Sequence, residues 1–110
     1  MATLFKNKVL TQVGTTPVQI AQTASNSRAT VIGLSLTNLL ADKAVLVSVM
    51  LTDETSTTGY YLKDVMIPPG GSLRAVNGGE KLIVASSNEL MVVSSVDDSV
   101  DVLMSFVEIV

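Results

Sequence analysis

Residues 63–73, KDVMIPPGGSL, decide how this chain is read. They run as the end of a strand, a stop at Pro68-Pro69, a turn at Gly70-Gly71 and the start of another strand. Proline fixes φ and has no N–H to give to a ladder, so two in succession end strand pairing. Glycine adopts positive φ without steric cost, so the pair that follows lets the chain turn. A corner of this kind, with apolar and β-branched segments on both sides, predicts a sheet protein.

Strand-like segments spread in both directions from the corner, at 4–12, 18–21, 28–38, 44–52, 60–67, 72–76, 80–85, 89–95 and 100–109. Turn chemistry separates them: Gly14-Thr15-Thr16-Pro17, the polar loop 24–28, the loop tip 53–59, Asn77-Gly78-Gly79 and Ser86-Ser87-Asn88. The Asn-Gly pair predicts a hairpin, because asparagine and glycine accept the positive φ such turns need. A short helical turn is expected only at 39–42. No segment keeps helical periodicity, and strands every ten residues or so are the signal of an all-β sandwich or barrel. The expectation is one antiparallel β-sandwich over residues 1–110, jelly-roll-like or barrel-like, with about eight to nine short strands.

Composition narrows the class. Hydrophobic residues make up 47% of the chain and aromatics only 4%, so the core is aliphatic. Charged residues are 15%, against roughly 25% in an average soluble domain. So few charges imply either poor solubility alone or a surface partly hidden in an assembly. The net charge of −3 argues against a nucleic-acid partner. Residues 1–8 hold Lys6 and Lys8 and no acid, a local +2 that leaves −5 on the remainder, which marks 1–8 as a candidate N-terminal docking arm. The start lacks the apolar run of a signal peptide, and the aliphatic run at 45–51 is far below the ~20 residues a membrane span requires. The expectation is a soluble protein made in a cytoplasm, with no membrane partner.

Two strands carry apolar residues on both faces. In the fourth, Val45, Val47, Val49 and Leu51 line one face, while Leu46 and Met50 flank Ser48 on the other. In the last, Val100, Val102, Met104 and Phe106 oppose Leu103, Val107 and Ile109. A two-layer sandwich buries one face of each sheet, so the second apolar face needs a cover, from the chain's own loops or from a neighbouring subunit. Tyr60 and Tyr61 are adjacent, so one points inward and the other is left as a contact residue. Phe5, Lys6, Lys8, Leu46, Met50, Tyr60, Tyr61, Leu103 and Val107 are the protein-interface candidates.

Chemistry is absent from the pattern. Without histidine or cysteine the chain lacks the commonest general base, the commonest metal ligand and the thiol nucleophile. The glycine pairs at 70–71 and 78–79 do not precede helices, so they form no phosphate loop. Asp97, Asp98 and Asp101 are the densest carboxylates. They suit either a calcium loop or, more simply, solvated acids between strands. No catalytic residue, cofactor or metal is expected.

The run LKDVMIPPGGSL, followed by NGGEKLIV, NELMVVSS and SVDVLMSFVEI, resembles a recurrent segment of small virion structural proteins from tailed bacteriophages, those of marine and cyanobacterial phages in particular. The shared pattern covers residues 62–109, about half the chain, and departs at Asn88-Glu89, where Gly-Asp is usual. The resemblance implies a non-enzymatic virion component made in the host cytoplasm, most simply a capsid decoration (cement) protein. Its expected partners are the major capsid protein or other virion proteins, and its expected state is a homo-oligomer, taken as a trimer. A tail, neck or fibre-associated module contacting virion proteins or a host receptor is the alternative.

Overall fold

Alternation of buried and exposed side chains sorts the chain into two facing sheets. The structure, a computed structural model, describes residues 2–77 and 79–110. Its strands are β1 (Thr3–Val13), β2 (Val18–Gln22), β3 (Arg28–Asn38), β4 (Val45–Thr52), β5 (Thr58–Ile67), β6 (Ser72–Val76), β7 (Leu82–Val84), β8 (Glu89–Ser94) and β9 (Val100–Ile109). One sheet runs β1-β9-β3, with β6 and β7 both pairing with β3; the other runs β2-β8-β4-β5. Every pairing is antiparallel.

The pairing is nested. β1 pairs with β9, β2 with β8, β3 with β6 and β7, and β4 with β5. Such a chain is one long antiparallel ribbon, with its tip at the β4–β5 turn, rolled into two layers. That is a jelly roll, one of the two sandwich forms expected. Between the layers lies an aliphatic core in which Val31, Leu36, Val47, Val49, Ile67, Val84, Leu90, Val92, Val100 and Met104 are fully buried. The tip is tight: Asp53 Oδ1 accepts from the N–H groups of Thr55 at 2.9 Å and Thr57 at 3.1 Å, and Ser56 takes φ 66°.

Three local expectations are corrected. The hairpin expected at Asn77-Gly78-Gly79 would have paired β6 with β7. Gly78 lies outside the described residues, but β6 and β7 do not pair with each other. They lie end to end along β3, 72–76 against 34–37 and 82–84 against 29–31, as one interrupted strand. Residues 39–42 form no helical turn. Period two over 28–38 groups Ile32 with Leu34 and Leu36 against Val31, but a bulge between Val31 and Gly33 shifts the alternation, so Val31, Leu34 and Leu36 point inward while Ile32 is exposed.

The Pro-Gly corner is held from beneath by Asn38, which is 1% exposed. Its Nδ2 group donates to the carbonyls of Lys43 at 2.9 Å, Ile67 at 3.1 Å and Pro68 at 3.2 Å, and its Oδ1 accepts from Leu40 N–H at 2.9 Å. Gly70 takes φ 67°, and its N–H donates to Leu40 C=O at 2.9 Å. Gly71 has ordinary φ, but a Cβ there would stand 2.9 Å from Pro68 Cγ. The two glycines are therefore required for different reasons, one for φ and one for space.

Candidate interaction surfaces

Both sheets turn an apolar outer face to solvent. On the β1-β9-β3 sheet, one cross-strand row runs Phe5, Val107, Thr30, Ile83 and another runs Val9, Leu103, Ser35. Phe5 is 80% exposed, and Val9, Ile83, Leu103 and Ile32 are exposed as well. Shallow hollows lie along this face, one beside Phe5, Asn7 and Ile32 and another beside Val9, Thr37 and Leu103. On the second sheet Leu46 pairs with Met66, and Met50 pairs with both Tyr60 and Met91. Met66 is 63% exposed and Tyr60 57%. Lys63 Nζ lies 5.1 Å from the Tyr60 ring centre, a cation–π contact. The chain's own loops leave these side chains open.

The interface candidates divide accordingly. Phe5, Leu103 and Val107 share the first face, and Leu46, Met50 and Tyr60 share the second. Tyr61 belongs to neither. It is half-buried against the core, and its hydroxyl donates to Ala75 C=O at 3.1 Å on β6 and to the Glu80 carboxylate. That bond spans the two sheets and closes the β5–β6 side of the sandwich. Burial, with Glu80 second, pushes the Tyr61 hydroxyl up to about 12. Lys6 and Lys8 sit on the inner side of β1, in register with Phe106 and Met104. Lys6 Nζ pairs with Glu108 Oε1 at 2.8 Å. Of residues 1–8, read as the docking arm, 3–8 are therefore the first half of β1, and Met1 lies outside the described residues.

Sequence reasoning missed Val9, Ile32, Ile83 and Met66 on these faces. Val9 and Met66 sit where strict alternation already places them. The exposure of Ile32 depends on a bulge the sequence does not mark, and that of Ile83 on β7 lying at a sheet edge.

The carboxylates near the β8–β9 loop have structural work. Asp97 Oδ1 accepts from Thr15 Oγ1 at 2.7 Å and Thr15 N–H at 3.2 Å, and Asp101 Oδ1 accepts from Gln12 N–H at 3.0 Å. The Thr15 hydroxyl and then its N–H hold Asp97 below the usual carboxylate range. Gly14 lets the β1–β2 turn come this close, since a Cβ there would stand 3.1 Å from Asp97 Cα. Among the described residues no group of three acids could hold a metal ion. A cleft of about 380 Å³ beside Leu51, Tyr61 and Leu82 contains Asp53, whose Oδ1 is taken by its own loop. It offers no nucleophile paired with a base.

No family model matches the chain, and no curated protein matches it. Solved structures do. The chain is similar to a protein in the acid-stable capsid of Helicobacter pylori bacteriophage KHP30, at 16% identity and TM-score 0.54, over 99% of this chain and 89% of that one. It is similar to the VP2 protein of infectious bursal disease virus, at 10% identity and TM-score 0.57, over 96% of this chain but only 31% of VP2. A chain from the disulfide-linked pili of Bacillus endospores matches at 8% identity and TM-score 0.54, over 96% and 86%. At these identities the likeness is one of fold: a sandwich found in capsid and pilus proteins.

Proposed function

We propose that this chain is a non-enzymatic structural protein of a phage particle, seated on the capsid shell as a decoration (cement) protein. The observation that carries the reading is the pair of open apolar outer faces on a jelly roll whose described residues hold no catalytic set. A lone small domain gains nothing by keeping Phe5 and Met66 in water. The fold shared with a chain of the KHP30 capsid supports a particle role for this jelly roll. In this reading the Phe5–Leu103–Val107 face meets the shell, through the major capsid protein. The Leu46–Met50–Tyr60 face meets further copies, grouped as a trimer. Methionine, being unbranched and polarisable, packs against irregular neighbours and suits that second role.

Quantitative mass spectrometry of purified particles tests the proposal. The expected result is an abundance comparable with that of the shell protein. A few copies per particle would move the chain to the neck, tail or fibres, and its absence from particles would overturn the virion reading.

A further inference from the structure

The four edges of this sandwich are not equally protected against strand pairing. β2 has five residues and a bulge between Gln19 and Ala21. β5 is bulged against β4, bends at Asp64 with φ 49° and ends at Pro68. β6 and β7 form an interrupted edge. β1 differs. It has eleven residues, contains no proline, and pairs with β9 in unbroken register from Thr3 to Leu10. Bulges, short strands and proline guard the other edges, and β1 lacks them over that stretch; its protection is Lys6 and Lys8, inward charges that turn away a like-charged strand.

The free groups of this edge can be named. Ala2 and Val110 exchange both backbone hydrogen bonds, at 2.8 and 3.0 Å. Antiparallel ladders alternate, so Leu4, Lys6, Lys8 and Leu10 direct their N–H and C=O groups to β9. Thr3, Phe5, Asn7 and Val9 direct theirs away from the sheet, with no strand beyond them. Their side chains lie on the outer apolar face, whereas Lys6 and Lys8 lie on the inner side. Lys8 lines an open cleft of about 300 Å³ with Gln19, Gln22, Phe106 and Glu108, between β1 and β2. It has no ion-pair partner among the described residues.

We infer that the β1 edge accepts an extended segment of a different protein, in which acidic residues alternate with apolar ones. The segment would pair with Thr3, Phe5, Asn7 and Val9, set its apolar side chains beside Phe5 and Val9, and direct its acids toward Lys8 in the cleft. Charge excludes a second copy of β1 as the occupant. The registers with fullest overlap set lysine directly opposite lysine, which is unfavourable. Nor do the chain's other edges fit, since VQIAQ, SLRAV and LIV carry no acid and TGYYLKDVMI carries one. The inference rests on the shell reading only for who supplies the strand.

The test uses a capped peptide of about eight residues alternating valine and glutamate, long enough to span the four edge residues. A second peptide carries lysine in place of glutamate. Amide chemical shifts of the full chain report binding. The glutamate peptide should shift Thr3, Phe5, Asn7 and Val9, and the lysine peptide should bind roughly tenfold more weakly at low salt. Lys8→Glu should reverse that preference without touching the backbone. Asn7→Pro should abolish binding while keeping the melting temperature, because Asn7 N–H serves no bond in its own sheet. Equal binding of both peptides, shifts elsewhere, or no shift at millimolar peptide would overturn the inference. A particle-sedimentation arm separates the two proposals: wild-type chain that fails to bind particles removes the shell reading and leaves the peptide result to judge the edge.

Discussion

The Asn38 side-chain amide donates to the main-chain carbonyl of Ile67 at 3.1 Å, with both residues inside the sandwich. One polar side chain thus joins the end of β3 to the end of β5 and sets where the Pro-Gly corner begins. Asn38→Ala leaves the Ile67 carbonyl and the Leu40 N–H without these partners. Each such group costs about 1–3 kcal/mol, so the expected loss is about 2–6 kcal/mol by chemical denaturation. Asn38→Asp should be equally harmful, because a carboxylate cannot donate to the three carbonyls. A loss below about 1 kcal/mol would mean that water replaces the amide without penalty.

The corner predicts an asymmetric response. Gly70→Ala is strained by φ alone, since a Cβ there meets nothing within 4 Å, and should cost about 1 kcal/mol. Gly70→Asn should be milder, because asparagine tolerates the left-handed region. Gly71→Ala instead collides with the Pro68 ring, and Pro68→Ala in the same chain should recover part of the loss. Identical losses at both glycines, with no rescue, would contradict this division. Thermal melts of the four variants decide it.

Tyr61 acts on the alkaline side of stability and Asp97 on the acid side, where Asp53 is lowered too by the Thr55 hydroxyl and the N–H groups of its own loop. Folding raises the Tyr61 hydroxyl from 10.0 to about 12, so its contribution is complete below pH 10 and is lost as pH rises toward 12. Asp97 is lowered from 3.8, so its contribution is present above that value and disappears as pH falls below it. Absorbance titration should show one tyrosine ionising late, and Tyr61→Phe should remove that step. Asp97→Asn should flatten the acid limb of the melting profile. An unchanged acid limb would mean that the Thr15 contact adds nothing to folding.

Much of this was legible before any coordinates. Residues 28–38, 72–76 and 100–109 show as strands because β-branched alternation and turn residues agree there. The inward set of β4 followed from period two, and its outward Leu46 is indeed exposed. What stayed hidden was whatever depends on distant pairing. Nothing local tells that β6 and β7 line up along β3 rather than fold back at Asn77. Ile32 reads as inward until the bulge is known. Asn38 looks like one more loop asparagine, and only the arrival of Ile67 and Pro68, some thirty residues later, makes it a buried hub. Asp97 is the solvated acid it reads as, and only the fold shows that it also holds the Thr15 turn.

The second sheet's outer face should drive self-association. Leu46, Met50, Met66 and Tyr60 form one patch there, and Leu46, Met66 and Tyr60 are well exposed. Hiding roughly 400 Å² of apolar surface per copy would contribute about 10 kcal/mol before association costs, enough for a stable oligomer if the fit is good. Light scattering at micromolar concentration should therefore give a mass above the 11.5 kDa of one chain, and close to three times it if the trimer assignment holds. Leu46→Asp with Met66→Asp should yield a monomer with little change in melting temperature, because neither side chain lies in the core. Phe5→Asp should leave the oligomer intact and weaken only shell binding. A wild-type chain that stays monomeric would sink the self-association claim, and both outer faces would then be free to meet other particle proteins.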